Sequence, residues 1–202
     1  QTTSGSITGD ETTDSVVSIP AYSQATSTDS ASLVVLLRNA SNNSAAAESV
    51  TVTTTLGQLT NSGKTITGKS LVLPYSGSYI AIGIKGDGVA GTATITVSTP
   101  SVTFAAKTVT LYSTTVSKIV GTKRLNTLKV GSNSAAITAI ATDSNGNQNG
   151  LSTGAVHAYS SDTTIVSTYG TACAYSAANA RQECSLTGVK AGTVTITLRN
   201  AS

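Results

Sequence analysis

The chain lacks several residue types that most proteins use. It has no tryptophan and no methionine, and its 202 residues include one phenylalanine, one histidine and two cysteines. Charged residues make up 10% of the sequence and aromatic residues 4%. Long side chains that favour helices are therefore scarce, whereas threonine and valine, whose branched Cβ atoms favour the pleated surface of a sheet, recur throughout. The composition predicts an all-β protein.

Positive charge is also sparse. The formal net charge is +3, and only Lys123 and Arg124 among the 12 lysines and arginines are adjacent. Because binding a run of phosphates needs several such side chains on one surface, we expect no nucleic-acid partner. The longest apolar run, residues 33–37, is far shorter than the ~20 residues that span a bilayer, so we also expect no membrane span. The sequence begins at Gln1 without a basic and apolar leader, as a mature exported chain or a fragment would.

No residue pattern leads us to expect catalysis or a cofactor. His157 lies in an alternating stretch beside Val156, which is typical of a surface or cross-strand histidine rather than of a catalytic base. Asp10, Glu11 and Asp14 lie in a polar N-terminal segment that offers no scaffold for acid chemistry. We therefore predict a protein that is not an enzyme and that binds no cofactor.

The two halves of the chain repeat one another. The stretch "AGTATITV" from Ala90 recurs as "AGTVTITL" from Ala191, and "SASLVVLLRNASNNS" from Ser30 aligns with "SAAITAIATDSNGNQ" from Ser134. Alternating apolar and polar residues predict half-buried strands, and about seven short strands per hundred residues are typical of a β-sandwich. This organisation divides the chain into an extended polar leader, residues 1–14, and two domains, residues 15–115 and 116–202.

Three stretches of the second half carry more specific motifs. They are "ATDSNGNQ" from Ala141, "SSDTTIVSTYG" from Ser160 and "GVKAGTVTITL" from Gly188. These motifs resemble those of the bacterial immunoglobulin-like domains, over most of residues 116–202 and less clearly over residues 15–115, where the Ser-Ser-Asp turn and both cysteines are missing. The resemblance implies two tandem immunoglobulin-like β-sandwiches, of the kind that build surface-layer proteins, adhesin stalks and phage appendages.

The repeat leaves one strand without a counterpart. The first half continues after "AGTATITV" into "SVTFAAKTVTLYS", residues 101–113, and nothing in the second half corresponds to this stretch. Its apolar residues Val102, Phe104, Val109 and Leu111 suit an inward face. If the stretch belongs to the first sandwich, the second sandwich lacks a strand and exposes unpaired backbone groups beside an apolar groove, which native proteins usually cover.

Three explanations of the missing strand stay open. The polypeptide continues beyond the given sequence and supplies the strand. Alternatively, residues 1–22 of a neighbouring copy supply it, with Val16, Val17 and Ile19 as the donor strand, and such donation would join copies head to tail into filaments or sheets. In the third explanation, residues 101–113 are the first strand of the second domain and no strand is missing.

The two cysteines, Cys173 and Cys184, are separated by a short, polar, turn-prone segment. Closing so short a loop would stabilise the folded state by roughly 3 kcal/mol, so we predict a disulfide, with two unpaired buried thiols as the alternative. Since disulfides persist in oxidising compartments, we expect an extracellular location at the cell surface. We expect no metal site, because the chain has too few cysteine and histidine ligands.

The sequence contains three candidate sites for glycan attachment. Asn39, Asn42 and Asn200 each begin an Asn-x-Ser triplet, which makes them candidate acceptors of N-linked glycans.

Asp143, Asn145 and Asn147 are spaced like the start of a calcium loop, but the distal glutamate is missing, so we predict a hairpin turn instead. Tyr75 and Tyr79 could form an aromatic platform for a sugar, but in a chain so poor in aromatic residues we expect them to be core and rim residues.

These features favour a structural subunit of an extracellular microbial surface layer or appendage. Its expected partners are copies of itself or the rest of a longer surface protein, together with glycans. The alternative is an adhesin or phage-borne module that binds a receptor or glycan through loops such as residues 39–47 or 171–184, since loops on a rigid scaffold commonly carry such contacts. A third hypothesis is an accessory domain of an exported enzyme.

Overall fold

The computed structural model describes residues 6–7, 17–22 and 29–200, and every regular element among them is a β-strand. The all-β prediction is confirmed. This part of the chain contains no helix that is long and apolar enough to cross a membrane. The chain divides into two compact units, residues 1–113 and residues 114–202.

The first unit is a sandwich of two sheets. Its strands are β1 (Ser6–Ile7), β2 (Val17–Pro20), β3 (Ala31–Val35), β4 (Glu48–Thr54), β5 (Gln58–Asn61), β6 (Thr67–Gly68), β7 (Ser70–Tyr75), β8 (Ile80–Lys85), β9 (Gly91–Ser98) and β10 (Lys107–Tyr112). One sheet has the order β1-β3-β8-β5-β6 and the other the order β2-β10-β9-β4-β7. Strand β1 is parallel to β3 and β2 is parallel to β10, whereas the other neighbours are antiparallel.

The strand order of the first unit is that of an immunoglobulin-like sandwich. In that fold, strands A, B, E and D form one sheet and strands C, F and G form the other. Strands β1, β3, β8 and β5 occupy the first set of places, and β4, β9 and β10 occupy the second. The predicted immunoglobulin-like fold is therefore present.

The core of the first unit follows from the alternation seen in the sequence. In β9, Ala93, Ile95 and Val97 point inward and are buried, while the threonines between them face outward. Both sheets contribute aliphatic side chains to one continuous core, which includes Ile19, Leu33, Val35, Val50, Val52, Leu59, Leu71, Tyr75, Ile82, Ile84, Val109 and Leu111.

The second unit has the same plan with fewer strands. Its strands are β11 (Lys118–Lys123), β12 (Gly131–Thr142), β13 (Gln148–Asn149), β14 (Val156–Ser160), β15 (Tyr169–Ala172), β16 (Ala174–Ser176), β17 (Arg181–Gly188) and β18 (Ile196–Asn200). One sheet has the order β11-β12-β17-β16, with β13 beside β12, and the other has the order β15-β14-β18. Its core is rich in small residues and contains Ala136, Ala139, Ala141, Val156, Ala158, Val166, Cys173, Cys184 and Leu186.

The unmatched stretch of the sequence belongs to the first unit. Its residues 107–112 form β10, which pairs with β9 from Lys107 opposite Ile95 to Leu111 opposite Gly91. The explanation in which residues 101–113 open the second domain is therefore wrong. Val109 and Leu111 are fully buried as expected, but Val102 and Phe104, which precede β10, are 49% and 41% exposed.

The predicted donor strand also has a different position from the one expected. Val17–Pro20 forms β2 and pairs with β10 of its own unit, and Ile19 is completely buried in that unit's core. A strand held in this way is not available to a neighbouring copy unless it first leaves its own sheet. Val16 lies outside the described residues.

Candidate functional site

The cysteine pair closes the β16–β17 hairpin of the second unit. Cys173 and Cys184 form a disulfide and are each 1% exposed. Cys173 follows β15 and donates its N–H to the Val156 carbonyl of β14 at 2.8 Å, whereas Cys184 lies within β17 of the opposite sheet. Because Ala174 pairs with Glu183, Cys173 lies directly opposite Cys184, and their Cα atoms are 4.3 Å apart. The covalent bond therefore joins two neighbouring strands at the end of the β16–β17 hairpin, in a domain whose core consists largely of small side chains.

The calcium-like spacing at residue 143 forms a hairpin turn. The Asp143 carboxylate is buried, and its Oδ1 accepts hydrogen bonds from the N–H groups of Asn145 and Asn147, both at 2.9 Å. Gly146 has a φ of +81°, which suits a tight turn. Within the described residues, no three His, Cys, Asp or Glu side chains come close enough together to hold a metal ion.

His157 lies in β14, where its Nδ1–H donates to the Gly170 carbonyl at 3.0 Å. Residues 150–154 read Gly-Leu-Ser-Thr-Gly, which matches the Gly-x-Ser-x-Gly pattern of a hydrolase nucleophile and which sequence reasoning passed over. That motif requires a sharp turn from a strand into a helix. Ser152 instead lies between β13 and β14, with a strand following it, so the geometry of a nucleophile elbow is missing at this serine.

The two tyrosines considered as a sugar platform have different environments. Tyr75 is 1% exposed and donates its hydroxyl hydrogen to the Leu37 carbonyl at 3.1 Å, so it is a core residue. Tyr79 is 64% exposed. The two rings therefore do not present a common face to solvent.

A different aromatic cluster lies on the outer face of the sheet β15-β14-β18. The rings of Tyr159 and Tyr169 meet edge to face with centroids 5.2 Å apart, and the Arg199 guanidinium lies 5.1 Å from the Tyr159 centroid. Tyr169 is 70% exposed. Sequence reasoning missed this cluster because its members come from three strands, although Tyr159 lies at an outward position of an alternating strand.

The candidate binding loop at residues 39–47 is held by its own side chains. The Asn39 Oδ1 accepts hydrogen bonds from the N–H groups of Ser41 and Asn43, both at 3.0 Å, and Ser44 Oγ donates to the Gly77 carbonyl at 2.6 Å. Asn39 and Asn42, the first two candidate glycan acceptors, are exposed. Asn200 is exposed as well, but the other two residues of its triplet lie outside the described residues.

The most distinctive surface of the second unit is the outer edge of β18. This strand pairs with β14 on one side, and no described strand pairs with it on the other. A groove of ≈ 570 Å³ lies at its N-terminal end, with Ile165, Val194 and Ile196 in the wall. A second groove of ≈ 470 Å³ lies at its C-terminal end, with Ile119 and Leu198 in the wall. All five of these apolar side chains pack against the core of the unit.

The chain resembles several solved structures, whereas comparisons of its sequence find no match. No protein-family model and no curated protein sequence matches it. Among the solved structures it resembles are invasin, described as a bacterial integrin-binding protein (TM-score 0.40, 16% identity over 91% of this chain), and the adhesin InvE of Yersinia pseudotuberculosis (TM-score 0.37, 18% identity over 92%). Domains 4–9 of the surface layer protein SbsC also resemble it (TM-score 0.32, 16% identity over 93%).

The chain spans 35%, 53% and 28% of the lengths of these three structures. The strand order and register within each unit establish the fold independently of these similarities.

Proposed function

We propose that the chain is a non-enzymatic structural segment of an extracellular surface protein, in which immunoglobulin-like sandwiches resist tension along the polypeptide. The observation that carries this proposal is the parallel pairing of β2 with β10, from Val17 opposite Val109 to Pro20 opposite Tyr112. The buried disulfide of the second unit supports it, because such bonds persist in oxidising surroundings outside the cytoplasm.

The direction of the β2–β10 pair determines how the first unit responds to force. The chain enters the sheet at the start of β2 and leaves it at the end of β10. Because the two strands are parallel, tension on the chain pulls them in opposite directions along their common axis. The evenly spaced hydrogen bonds of a parallel pair are then loaded together in shear rather than broken one after another.

The second unit resists tension in another way. Its described strands include no parallel terminal pair, but the disulfide encloses residues 173–184 and fastens β17 to the residue that precedes β16. A stretched domain would therefore keep this loop closed. Strand donation from residues 1–22 does not form part of the proposal, because β2 completes its own sheet.

Single-molecule stretching of the whole chain tests the proposal. We expect two unfolding events, with the first unit giving way at the higher force. Reduction of the disulfide should increase the extension released when the second unit unfolds by about 40 Å. The cysteines are separated by 11 positions in the sequence, and each extended residue spans about 3.6 Å. The proposal is wrong if the first unit unfolds at a force no higher than the second.

A second candidate function is a module that binds a surface glycan. The cluster of half-buried Tyr159 with exposed Tyr169 and Arg199 favours it, because aromatic faces and a guanidinium suit sugar rings and their acidic substituents. Binding of the chain to an array of neutral and acidic glycans distinguishes the two functions. Tight, selective binding that Tyr169→Ala removes would favour the binding module, and its absence would favour the structural segment.

A further inference from the structure

The internal repeat allows β18 to be compared, residue by residue, with the corresponding strand β9 of the first unit. A constant offset of 101 residues aligns "AGTATITV" from Ala90 with "AGTVTITL" from Ala191, so that Ile196 corresponds to Ile95. The backbones agree as well, since φ is 154° at Gly91 and 159° at the corresponding Gly192. The two segments are therefore the same strand of two related sandwiches.

Only one of the two equivalent segments has a complete set of neighbours. In the first unit, β9 pairs with β4 on one side and with β10 on the other, and residues 91–95 are the ones that pair with β10. In the second unit the corresponding residues 192–196 have no such neighbour in the described part of the chain, and the strand begins only at Ile196. The regular part of β18 therefore excludes residues 192–195, whose counterparts in β9 pair with β10.

Burial shows the same difference. Ala93, Ile95 and Val97 are at most 6% exposed, whereas the corresponding Val194, Ile196 and Leu198 are only half-buried. Their side chains have the apolar character needed to pack in the core, but one side of each remains open to the grooves at the ends of β18.

The backbone of this segment offers hydrogen bonds to the open side. The Thr195 carbonyl accepts from the N–H of Ser161, so Thr195 directs its backbone groups toward β14. Backbone groups of successive residues in a strand point in opposite directions, so those of Val194, Ile196 and Leu198 point toward the open edge. In the first unit the corresponding Val97 carbonyl accepts from the N–H of Phe104 at 2.9 Å, on the side of β10.

The charge around the grooves restricts what can bind there. Lys123 and Lys129 line the groove at the N-terminal end of β18, and Lys118 and Arg199 line the other. No Asp or Glu is among the described residues that line either groove. An occupant with carboxylates at its ends would therefore be favoured over one with lysines.

We propose that the open edge formed by residues 192–198 is an acceptor site for an added β-strand of a partner polypeptide. The partner strand runs antiparallel to β18, as β10 does to β9, and places aliphatic side chains opposite Val194 and Gly192, where the first unit has Val109 and Leu111. It carries acidic residues at its ends. This site would exist whether the chain is a structural segment or a glycan-binding module.

The proposal can be tested by attaching a strand to the full chain. The sequence Glu-Thr-Val-Thr-Leu-Glu, which copies the alternation of β10, is joined to the C-terminus through a flexible linker of about eight residues, which gives it a millimolar effective concentration. The matched control is Glu-Thr-Ser-Thr-Ser-Glu, which keeps the length, the charge and the β-strand alternation but has no aliphatic side chain to bury in any register. Amide hydrogen exchange of residues 194–198 is the readout.

We expect the first strand to slow exchange of the Val194 and Ile196 amides at least about tenfold and the control strand to leave it unchanged. Equal protection by both strands, or protection by neither, would overturn the proposal. If sedimentation shows that the unmodified chain forms dimers whose Val194 and Ile196 amides are already protected, the occupant is a second copy and the proposal of a partner strand is also wrong.

A backbone variant separates strand pairing from side-chain packing. Val194→Pro removes the N–H that faces the added strand, whereas Val194→Ala shortens the side chain but keeps the N–H. In the chain that carries the first attached strand, Val194→Pro should abolish the protection of Ile196 and Val194→Ala should retain most of it. Equal losses in the two variants would show that the edge is not used for pairing.

Discussion

The two units of this protein have the same sandwich architecture but differ in their number of strands and in the composition of their cores. The first has a strand on each side of β9 and buries a core of leucine, isoleucine and valine. In the second, no strand of the described residues lies on the outer side of β18, and the core is rich in alanine. The second unit also contains the disulfide. The covalent link therefore occurs in the unit with the smaller core, where noncovalent packing contributes less to stability.

The largest expected effect comes from shortening equivalent isoleucines. Ile95→Ala removes a fully buried side chain and should lower the free energy of unfolding of the first unit by about 4 kcal/mol. Ile196→Ala removes a half-buried side chain at the corresponding position and should cost the second unit about 1 kcal/mol. Differential scanning calorimetry of the two variants measures both transitions. Equal costs would contradict the difference in burial between the units.

Removing the disulfide should have the next largest effect. The double variant Cys173→Ala/Cys184→Ala is expected to lower the free energy of unfolding of the second unit by about 3 kcal/mol, because the unfolded chain regains the freedom of the closed loop. Denaturant unfolding followed at residues of each unit by NMR should show no change in the first unit. A loss of the same size in both units would mean that the bond does not act locally.

A smaller effect is expected at Tyr75. Tyr75→Phe removes the hydroxyl that donates to the Leu37 carbonyl, which keeps the N–H of Ala45 as a donor, and should cost the first unit about 1 kcal/mol. Tyr79→Phe is the matched control, since Tyr79 is 64% exposed and its change should stay within about 0.5 kcal/mol. If the two variants lost equal stability by thermal unfolding, the assignment of Tyr75 to the core would be wrong.

The smallest effect concerns Asp162, which has no counterpart in the first unit. Hydrogen bonds to its carboxylate from the Thr164 side chain, and then from the Thr164 backbone, lower the pKa of Asp162 below its usual value of 3.8. A lowered pKa in the folded state means that the ionised group stabilises the fold above the usual pKa and that this contribution disappears as the pH falls through the lowered value.

The midpoint of the second unit's thermal transition should therefore decrease slightly more between pH 5 and pH 2 in the original chain than in Asp162→Asn. The amide side chain of this variant is uncharged at every pH in this range, and its oxygen can still accept the hydrogen bonds from Thr164. Calorimetry across this range measures the difference, and identical pH profiles of the two proteins would argue against the effect.

Much of the fold was predictable because it depends on local alternation. Residues such as Ala93, Ile95 and Val97 mark an inward face in the sequence itself, and the structure buries all three. The recurrence of this stretch at Ala191 likewise indicated two related sandwiches. The features that were mistaken or missed depend on residues distant in sequence, such as the pairing of β2 with β10 and the meeting of Tyr159 with Tyr169.

The sequence alone determined that the chain forms strands, where its turns lie and which side chains point inward, because these properties depend on neighbouring residues along the backbone. Only the tertiary structure decided which strand lies beside which. It placed β2 against β10 within one unit, and it gave one edge of β18 no partner among the strands that the structure describes. The physical reason is that an extended strand offers the same backbone hydrogen bonds on both edges, so its partner is selected by long-range packing that alternation does not encode.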